Sequence, residues 1–117
     1  MSRPAFPRSR LRIFLAADVM LGPGKADLLE GIAETGSISA AGRRMGMSYK
    51  RAWQLVETLN GYFRSPLVQA APGGARGGGA ALTPLGQKVL AHYRRMAQAT
   101  EAACAAEMKA LQKLRAK

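Results

Sequence analysis

Cysteine and histidine each occur only once in the 117 residues, as Cys104 and His92. One cysteine excludes an intramolecular disulfide framework and a cysteine-based zinc site, and one histidine excludes a metal site built on several histidines. The sequence also lacks a recognisable pair of catalytic carboxylates and a nucleophile placed beside a base. We therefore expect no metal, no cofactor and no enzymatic activity, and we interpret both residues as parts of a helix face without a chemical role.

Acidic residues are scarce as well, because 7 Asp and Glu stand against 18 Lys and Arg, a formal net charge of +11. This excess favours a polyanionic partner, either nucleic acid or an anionic membrane surface. The imbalance is strongest between residues 36 and 95, where nine basic residues accompany one acid, Glu57. A merely solvated surface usually mixes both signs, so we interpret this segment as facing nucleic acid.

Long apolar runs are missing, and none approaches the roughly 18 residues that a bilayer span needs. The N-terminal segment becomes apolar at Leu11, but Arg12 and Asp18 interrupt it, so it is too short and too polar for a secretory signal. We expect residues 1–10 to form a flexible basic arm. We also expect no membrane association and a cytoplasmic location.

The first part of the chain predicts one strand and one helix within a single domain. "RIFLAA", residues 12–17, is typical of a short buried strand, and Gly and Pro interrupt the chain after it. "KADLLEGIAETG" follows with a helical stripe, which Gly36 is placed to end. The apolar residues of that stripe are Leu28, Leu29, Ile32 and Ala33.

Two short helices with a tight joint come next. Ser39 is expected to cap the first, at about residues 40–45, and Ser48 the second, at about residues 49–62. Only a Gly-Met-Ser turn that starts at Gly46 separates them, which predicts a helix-turn-helix. The second helix has one apolar face, which consists of Ala52, Val56, Leu59 and Phe63.

A glycine-rich tip, "PGGARGGGA", then separates two short apolar runs, which predicts a β-hairpin. A phosphate cradle for a nucleotide is disfavoured because no strand-turn-helix unit surrounds these glycines. As the wing of a DNA-binding domain, the tip would approach the DNA backbone and Arg76 would reach a phosphate. A hairpin tip without a binding role is the alternative.

Thr83 and Pro84 begin a helix that nothing interrupts before about Leu114, a length of about 45 Å. Its apolar seam predicts a dimer interface formed by Leu90, Tyr93, Ala97, Cys104, Met108 and Leu111. A membrane-surface helix is the rival, but the stripe is rich in alanine and contains no Trp or Phe.

The expected partner is double-stranded DNA, with phosphate contacts that set the register and side chains of the second helix that read bases. Arg43, Arg44, Arg64 and Arg76 are assigned to phosphates, and Tyr49, Lys50, Arg51 and Gln54 to bases. Trp53 is expected to pack beside this surface more than to stack on a base. The full set of expected DNA-contacting residues is Ser39, Arg43, Arg44, Ser48, Tyr49, Lys50, Arg51, Trp53, Gln54, Arg64, Gly74, Arg76, Gly77 and Gly78.

Residues 11–97 closely resemble the DNA-binding domain of ModE-type molybdenum-dependent transcriptional regulators, and more distantly LysR-type winged-helix domains. "GSIS", "MSYKRAW" and "GGGAALTPLG" are the most specific pieces. The resemblance implies a dimer that binds palindromic operators upstream of molybdate-related genes, with a wing at residues 73–79. The recognition positions that it implies are Ser48, Tyr49, Lys50, Arg51 and Trp53.

In that family, oxyanion-sensing domains follow the DNA-binding domain. The sequence ends at Lys117 and leaves no room for them. We therefore expect no molybdate-sensing domain and no small-molecule ligand within this chain.

The sequence thus predicts a mainly α fold with one small sheet, made of "RIFLAA" and the wing strands. A winged helix-turn-helix at residues 11–83 precedes a long dimerisation helix at residues 84–117. The predicted function is that of a homodimeric, sequence-specific transcriptional regulator, with repression as the expected outcome. Two alternatives stay open: a sequence-neutral nucleoid-type nucleic-acid-binding protein, and a modulator that forms mixed dimers with a full-length regulator.

Overall fold

The computed structural model describes residues 5–72 and 78–117, which form four helices and two small antiparallel sheets. The mainly helical class is confirmed. The elements in chain order are β1 (Ile13–Ala16), β2 (Val19–Leu21), α1 (Pro23–Thr35), α2 (Ile38–Arg44), α3 (Tyr49–Tyr62), β3 (Val68–Ala71), β4 (Gly79–Leu82) and α4 (Pro84–Leu114).

The sheet arrangement differs from the predicted one. β1 pairs with β2, and β3 pairs with β4 in a separate sheet, so the expected single sheet of "RIFLAA" and wing strands was wrong. The expected burial of β1 was also wrong, because Phe14 and Leu15 are 65% and 58% exposed. A turn at Asp18 folds the chain back, and hydrophobicity alone does not reveal whether a short apolar run is covered on one face or two.

Helix α1 supplies the centre of the core. Leu28, Leu29 and Ile32 are fully buried as predicted, whereas Ala33 is exposed. Gly36 ends the helix as predicted: its φ of 71° is left-handed, and its backbone N–H donates to the Ile32 carbonyl at 2.8 Å. The apolar face of α1 is thereby fixed against the helices that follow.

Ser37, not Ser39, caps α2, and its hydroxyl accepts from the Ala40 backbone N–H at 3.0 Å. The sequence offers a serine at either position, and the extended backbone of Ser37 after the Gly36 turn decides between them. Farther along α2, a Cβ on Gly42 would lie 2.9 Å from the Cβ of Ala52. This close approach packs α2 directly against α3.

The predicted bounds and cap of α3 are confirmed. The Ser48 hydroxyl accepts from the Arg51 backbone N–H at 3.1 Å, and Ala52, Val56 and Leu59 are fully buried. Near the end of the helix, the Asn60 side chain forms hydrogen bonds with backbone groups at the start of the β3–β4 hairpin. Its Oδ1 accepts from the N–H groups of Leu67 and Val68, and its Nδ2 donates to the Val68 carbonyl. Asn60 therefore fixes the β3–β4 hairpin relative to α3.

Helix α4 begins where predicted, with the Thr83 hydroxyl accepting from the Gly86 backbone N–H and Pro84 in the first turn. Its buried residues, Gly86, Val89 and Tyr93, all lie in the first three turns. Farther along the helix, Ser9 donates from its N–H and its hydroxyl to Glu101 at 2.8 and 2.5 Å. These two hydrogen bonds lower the pKa of Glu101. Of the predicted arm, residues 5–10 thus run beside α4, and residues 1–4 lie outside the described part of the chain.

The stability of the domain depends on pH in the alkaline range because Tyr93 is buried. Its ring is buried and its hydroxyl donates to the Leu11 carbonyl at 2.7 Å. Burial raises the pKa of Tyr93 above its usual value near 10, and the charges of Arg94, Asp27 and Arg10 act as smaller influences. Because the folded-state pKa is the higher one, this contribution to stability is complete below pH ~10 and is lost as the pH rises through the folded-state value.

We expect the free energy of unfolding of the native protein to fall as the pH rises above about 10. Tyr93→Phe should lose about 1 kcal/mol at pH 7 with the hydrogen bond, and should show a weaker decline at alkaline pH. Urea unfolding of both proteins between pH 8 and pH 11 measures the difference. If the free energies of unfolding of the two proteins fell in parallel as the pH rises, Tyr93 would not be the source of the alkaline decline.

Candidate nucleic-acid interface

The first half of α3 presents a polar face to solvent. Tyr49, Lys50, Arg51 and Gln54 are all exposed, whereas Ala52 on the same turns is buried. The alternation follows from the helical period, which turns every third or fourth residue towards the core. The structure therefore brings together the four side chains to which the sequence assigned base contacts.

An aromatic pair stands at the start of this face. The Trp53 indole N–H donates to the Tyr49 hydroxyl one turn away, and the two side chains are 39% and 56% exposed. Both line a groove of about 260 Å³ between α3 and the β3–β4 hairpin, together with Ser37, Ser39 and Gln69. Trp53 thus lies beside the polar face, as the sequence predicted, and keeps part of its ring accessible.

The exposed side of α2 adds a polar pair to this surface. The Arg43 guanidinium donates to the Ser39 hydroxyl at 2.8 Å, across one helical turn. Ser39 also lines the groove beside Tyr49. Ser48, at the start of α3, is exposed. Exposed hydroxyl and guanidinium groups thus occur both on α2 and at the start of α3, at Arg43, Ser48 and Arg51.

Two of the nine basic residues between positions 36 and 95 form ion pairs with acidic residues that precede this segment. Arg44 pairs with Glu34 at 2.8 Å, and Arg94 pairs with Asp27 and Glu30 at 2.9 and 3.2 Å. Partial burial acts to lower the pKa of Arg94, but the hydrogen bond that Arg94 donates to Asp27 and the charge of Glu30 outweigh it and raise the pKa. α1 therefore neutralises part of the charge that the sequence assigned to the DNA-facing surface, because helices far apart in sequence pack together.

The glycine-rich tip falls largely outside the described residues. Gly74, Arg76 and Gly77 lie outside the described residues, whereas Gly78 is exposed just before β4 and lines the groove beside α3. The strands of the predicted hairpin are confirmed, with Val68 opposite Leu82 and Ala71 opposite Gly79. The described strands of the hairpin therefore lie next to α3.

Arg64 lies just after α3 and is exposed. It shares an open pocket of about 690 Å³ with Lys88 of α4. This position is on the far end of α3 from Lys50 and Arg51, so Arg64 extends the basic surface along the helix.

A second basic feature was missed in the sequence. Arg10, Arg12, Lys25 and Arg51 line a cleft of about 310 Å³ beside the first half of α3, which we call the basic cleft. The alternating arginines of "RSRLR" were the available signal, but residues 1–10 were interpreted as a flexible arm. The Tyr93 hydroxyl donates to the carbonyl of Leu11, the residue between Arg10 and Arg12.

The predicted seam on α4 divides into two parts. Tyr93 is buried in its own chain, and Leu90 and Ala97 pack against the same core. Cys104 and Met108 are half-buried, and Leu111 is 66% exposed. The Arg95 guanidinium donates a hydrogen bond to His92 Nδ1 at 3.2 Å on the exposed face. Tyr93 is thus unavailable to another helix, whereas the half-buried seam residues and Leu111 keep accessible surface.

A family model described as "Bacterial regulatory helix-turn-helix protein, lysR family" matches residues 25–87. The DNA-binding domain of CbnR, solved in complex with DNA, superposes with a TM-score of 0.57 at 21% identity and covers 79% of this chain and 97% of that one. The winged helix-turn-helix fold is thereby confirmed. Within residues 5–72 and 78–117, no helix combines the length and the apolar character of a membrane span.

Three curated relatives match 62–75% of this chain, and two of them are named for molybdenum. The molybdenum-pterin-binding protein MopB of Rhodobacter capsulatus is 52% identical over 73 residues, which are 62% of this chain and 27% of MopB. The molybdenum transport protein ModE of Azotobacter vinelandii is 40% identical over 71% of this chain and 32% of its own length. The DNA-binding transcriptional dual regulator ModE of Escherichia coli is 39% identical over 75% of this chain and 34% of its own length.

The predicted ModE-type resemblance is confirmed by these matches. This chain spans about a third or less of the length of these relatives. Fold and relatives are those of transcriptional regulators and not of enzymes.

Proposed function

Because the chain belongs to the LysR family of bacterial regulatory helix-turn-helix proteins, we propose that it binds double-stranded DNA and regulates transcription. The observation that carries this proposal is the division of α3 into two faces. Ala52, Val56 and Leu59 anchor the helix, and its N-terminal half presents Lys50 and Arg51 to solvent. A helix held in this way fits the major groove of B-DNA, which is about 12 Å wide.

Base reading is assigned to four side chains of α3. Lys50 and Arg51 match the acceptors on the edge of guanine, and Gln54 matches the donor and acceptor of adenine. Tyr49 stands at the start of the helix, with Trp53 beside it. The pair offers an apolar surface next to the groups that form hydrogen bonds.

Phosphate contacts are assigned to cations around this helix, namely Arg43, Arg64 and the wing residue Arg76. The Arg44 guanidinium is paired with Glu34, so a phosphate must displace this carboxylate before Arg44 can contact DNA. Gly74, Gly77 and Gly78 would let the wing approach the DNA backbone closely. These contacts set the register of α3 on the duplex.

We propose that two copies of the chain bind a palindromic operator. The distal part of α4 supports pairing, since Leu111 and Leu114 are exposed apolar residues on a helix that has left the core. Tyr93 does not contribute, because its side chain is used inside the protomer. Two α3 helices would then meet half-sites about one turn of DNA apart.

Repression by occupancy of a promoter is the outcome that we propose, with molybdenum-related genes as targets because relatives are named for molybdenum transport. Regulation of chromosomal genes places the protein in the cytoplasm.

Selection of bound fragments from a genomic library at physiological salt tests the proposal. Recovery of a palindromic sequence near promoters is the expected result. Enrichment of no sequence would instead indicate a sequence-neutral nucleoid-type protein. A protein that binds no duplex but forms mixed dimers with a full-length regulator would overturn the proposal as well.

Arg51→Ala is expected to weaken binding to the selected site by about 1–3 kcal/mol and to relax preference at one base position. The reason is the loss of two hydrogen bonds to a base edge. Fluorescence anisotropy with a set of single-base operator variants measures both effects. Arg115→Ala removes an equally exposed guanidinium beyond the end of α4 and is the matched control. Unaltered binding of Arg51→Ala to every variant site would show that α3 does not read bases through this residue.

A further inference from the structure

The basic cleft gathers four cations from three separate parts of the chain. Arg10 and Arg12 come from the segment before β1, Lys25 from the first turn of α1, and Arg51 from the first turn of α3. Its other lining residues are apolar or glycine, such as Met47 and Leu55. Within the described part of the chain, no carboxylate lines the cleft.

The cations of the basic cleft differ in ion pairing from Arg44 and Arg94, the two arginines that face α1. Arg44 and Arg94 have acidic partners within 3.2 Å, whereas no ion pair is formed by the four cations of the basic cleft among residues 5–72 and 78–117. Like charges gathered around one cleft repel each other unless anions compensate them. The missing internal partner therefore points to an anionic surface from outside the chain.

Specific contacts hold the Lys25 side chain and the backbone between Arg10 and Arg12. Lys25 Nζ donates to the Met20 carbonyl at 3.0 Å and to the Tyr62 hydroxyl at 2.9 Å, which leaves the third of its three N–H groups free. The Leu11 carbonyl, between Arg10 and Arg12 in the sequence, accepts from Tyr93 of α4. Both sides of the cleft are thus anchored before any ligand arrives.

The position of the cleft identifies the anion. Arg51 belongs to the cleft and to the exposed face of α3, so the two surfaces adjoin. A helix about 10–12 Å across fills the major groove, and groups beside it meet the phosphates that border the groove. The row of cations therefore faces a sugar-phosphate strand when α3 enters the groove.

We propose that the basic cleft binds the phosphate backbone of the same DNA duplex, along the strand that borders the groove occupied by α3. The inference rests on the proposed function. It assigns phosphate contacts to Arg10, Arg12 and Lys25, which add affinity and fix the orientation of α3 without reading sequence. The segment before β1 is then part of the DNA-binding surface.

The test uses the full chain with Arg10→Gln and Arg12→Gln combined. Anisotropy titrations follow a selected operator and a scrambled duplex between 50 and 200 mM salt. The slope of log K against log salt should become shallower by about 2 per bound protomer, and affinity should fall by the same factor for both duplexes. The double variant Arg10→Lys, Arg12→Lys retains the charge and should keep the slope near that of the unmodified protein.

Lys109→Gln combined with Lys113→Gln removes the same charge from the exposed end of α4 and is the matched control, with thermal melting of every variant to confirm folding. If the arginine variant and this control have equal slopes while the unmodified protein binds its operator, the inference is overturned and the proposed function stands. If the unmodified protein binds no duplex, the proposed function itself fails.

A titration with inorganic phosphate tests whether the basic cleft instead binds free anions. Its effect on duplex binding should equal that of chloride at the same ionic strength. Saturable phosphate binding in calorimetry that disappears in the arginine variant, with duplex binding unchanged, would show a site for free anions and would overturn the inference.

Discussion

Gly86→Ala is expected to destabilise the protein by about 3 kcal/mol, the upper part of the range for insertion of extra atoms into a packed interior. A Cβ at this position would lie 2.1 Å from the Leu67 carbonyl oxygen and 3.0 Å from its carbonyl carbon. These neighbours are backbone atoms, so no flexible side chain can move aside. Leu67 is moreover fixed by its N–H bond to Asn60 and by its carbonyl bond from the Thr83 N–H. Helix α4 would have to shift away from the wing.

The matched control is Gly61→Ala, which adds the same methyl group within α3 where a Cβ would meet nothing within 4 Å. Alanine is favoured over glycine in a helix by about 1 kcal/mol, so this variant should be as stable as the unmodified protein or more so. Thermal and urea unfolding of the three proteins measure the difference. Equal stability of the two variants would show that α4 and the wing do not approach each other as closely as described.

Operator binding is expected to weaken by about 10⁴-fold when salt rises from 50 to 200 mM. A dimer that neutralises roughly 8 phosphates releases their counterions, which gives a slope of about −7 in log K against log salt. Phosphate-contacting cations that form no ion pair among the described residues, such as Arg12 and Arg43, supply this effect in full. Arg44 and Arg94 contribute less, because each must first part from an acid on α1.

Anisotropy titrations at four or more salt concentrations measure the slope. A scrambled duplex is the control: its affinity should be lower at every salt concentration, but its slope should be similar, because phosphate contacts do not depend on sequence. A flat response for the operator would contradict the electrostatic part of the proposal. A slope far steeper for the operator than for the scrambled duplex would assign the contacts to groups that engage only in the specific complex.

Local sequence signals were sufficient wherever the decisive interaction spans only a few residues. Ser48 and Thr83 cap the helices they were expected to cap, Gly36 ends α1, and Ala52, Val56 and Leu59 form the buried face of α3. Each of these features rests on neighbours within about one helical turn, which the sequence displays directly. The choice of Ser37 over Ser39 shows the limit of such reasoning, since two equivalent residues stood two positions apart.

The candidate site was predictable to the same extent. The helical period alone places Lys50, Arg51 and Gln54 together on the exposed side of α3, and the structure agrees. The pairing of Arg44 with Glu34 and the approach of Arg10 to Arg51 were not predictable, because these residues lie on different elements. Counting charge along a segment overlooks partners that arrive from elsewhere in the fold.

By itself, therefore, the sequence determined a basic, mainly helical protein with a capped helix-turn-helix, a hairpin and a 31-residue final helix. Those properties follow from composition and from interactions between near neighbours. Only the tertiary structure decided that β1 pairs with β2, that Tyr93 serves the core and not a seam, and that Arg10 and Arg12 join the surface beside α3. These outcomes depend on which faces pack together, a choice that the whole core makes and that no short stretch of residues encodes.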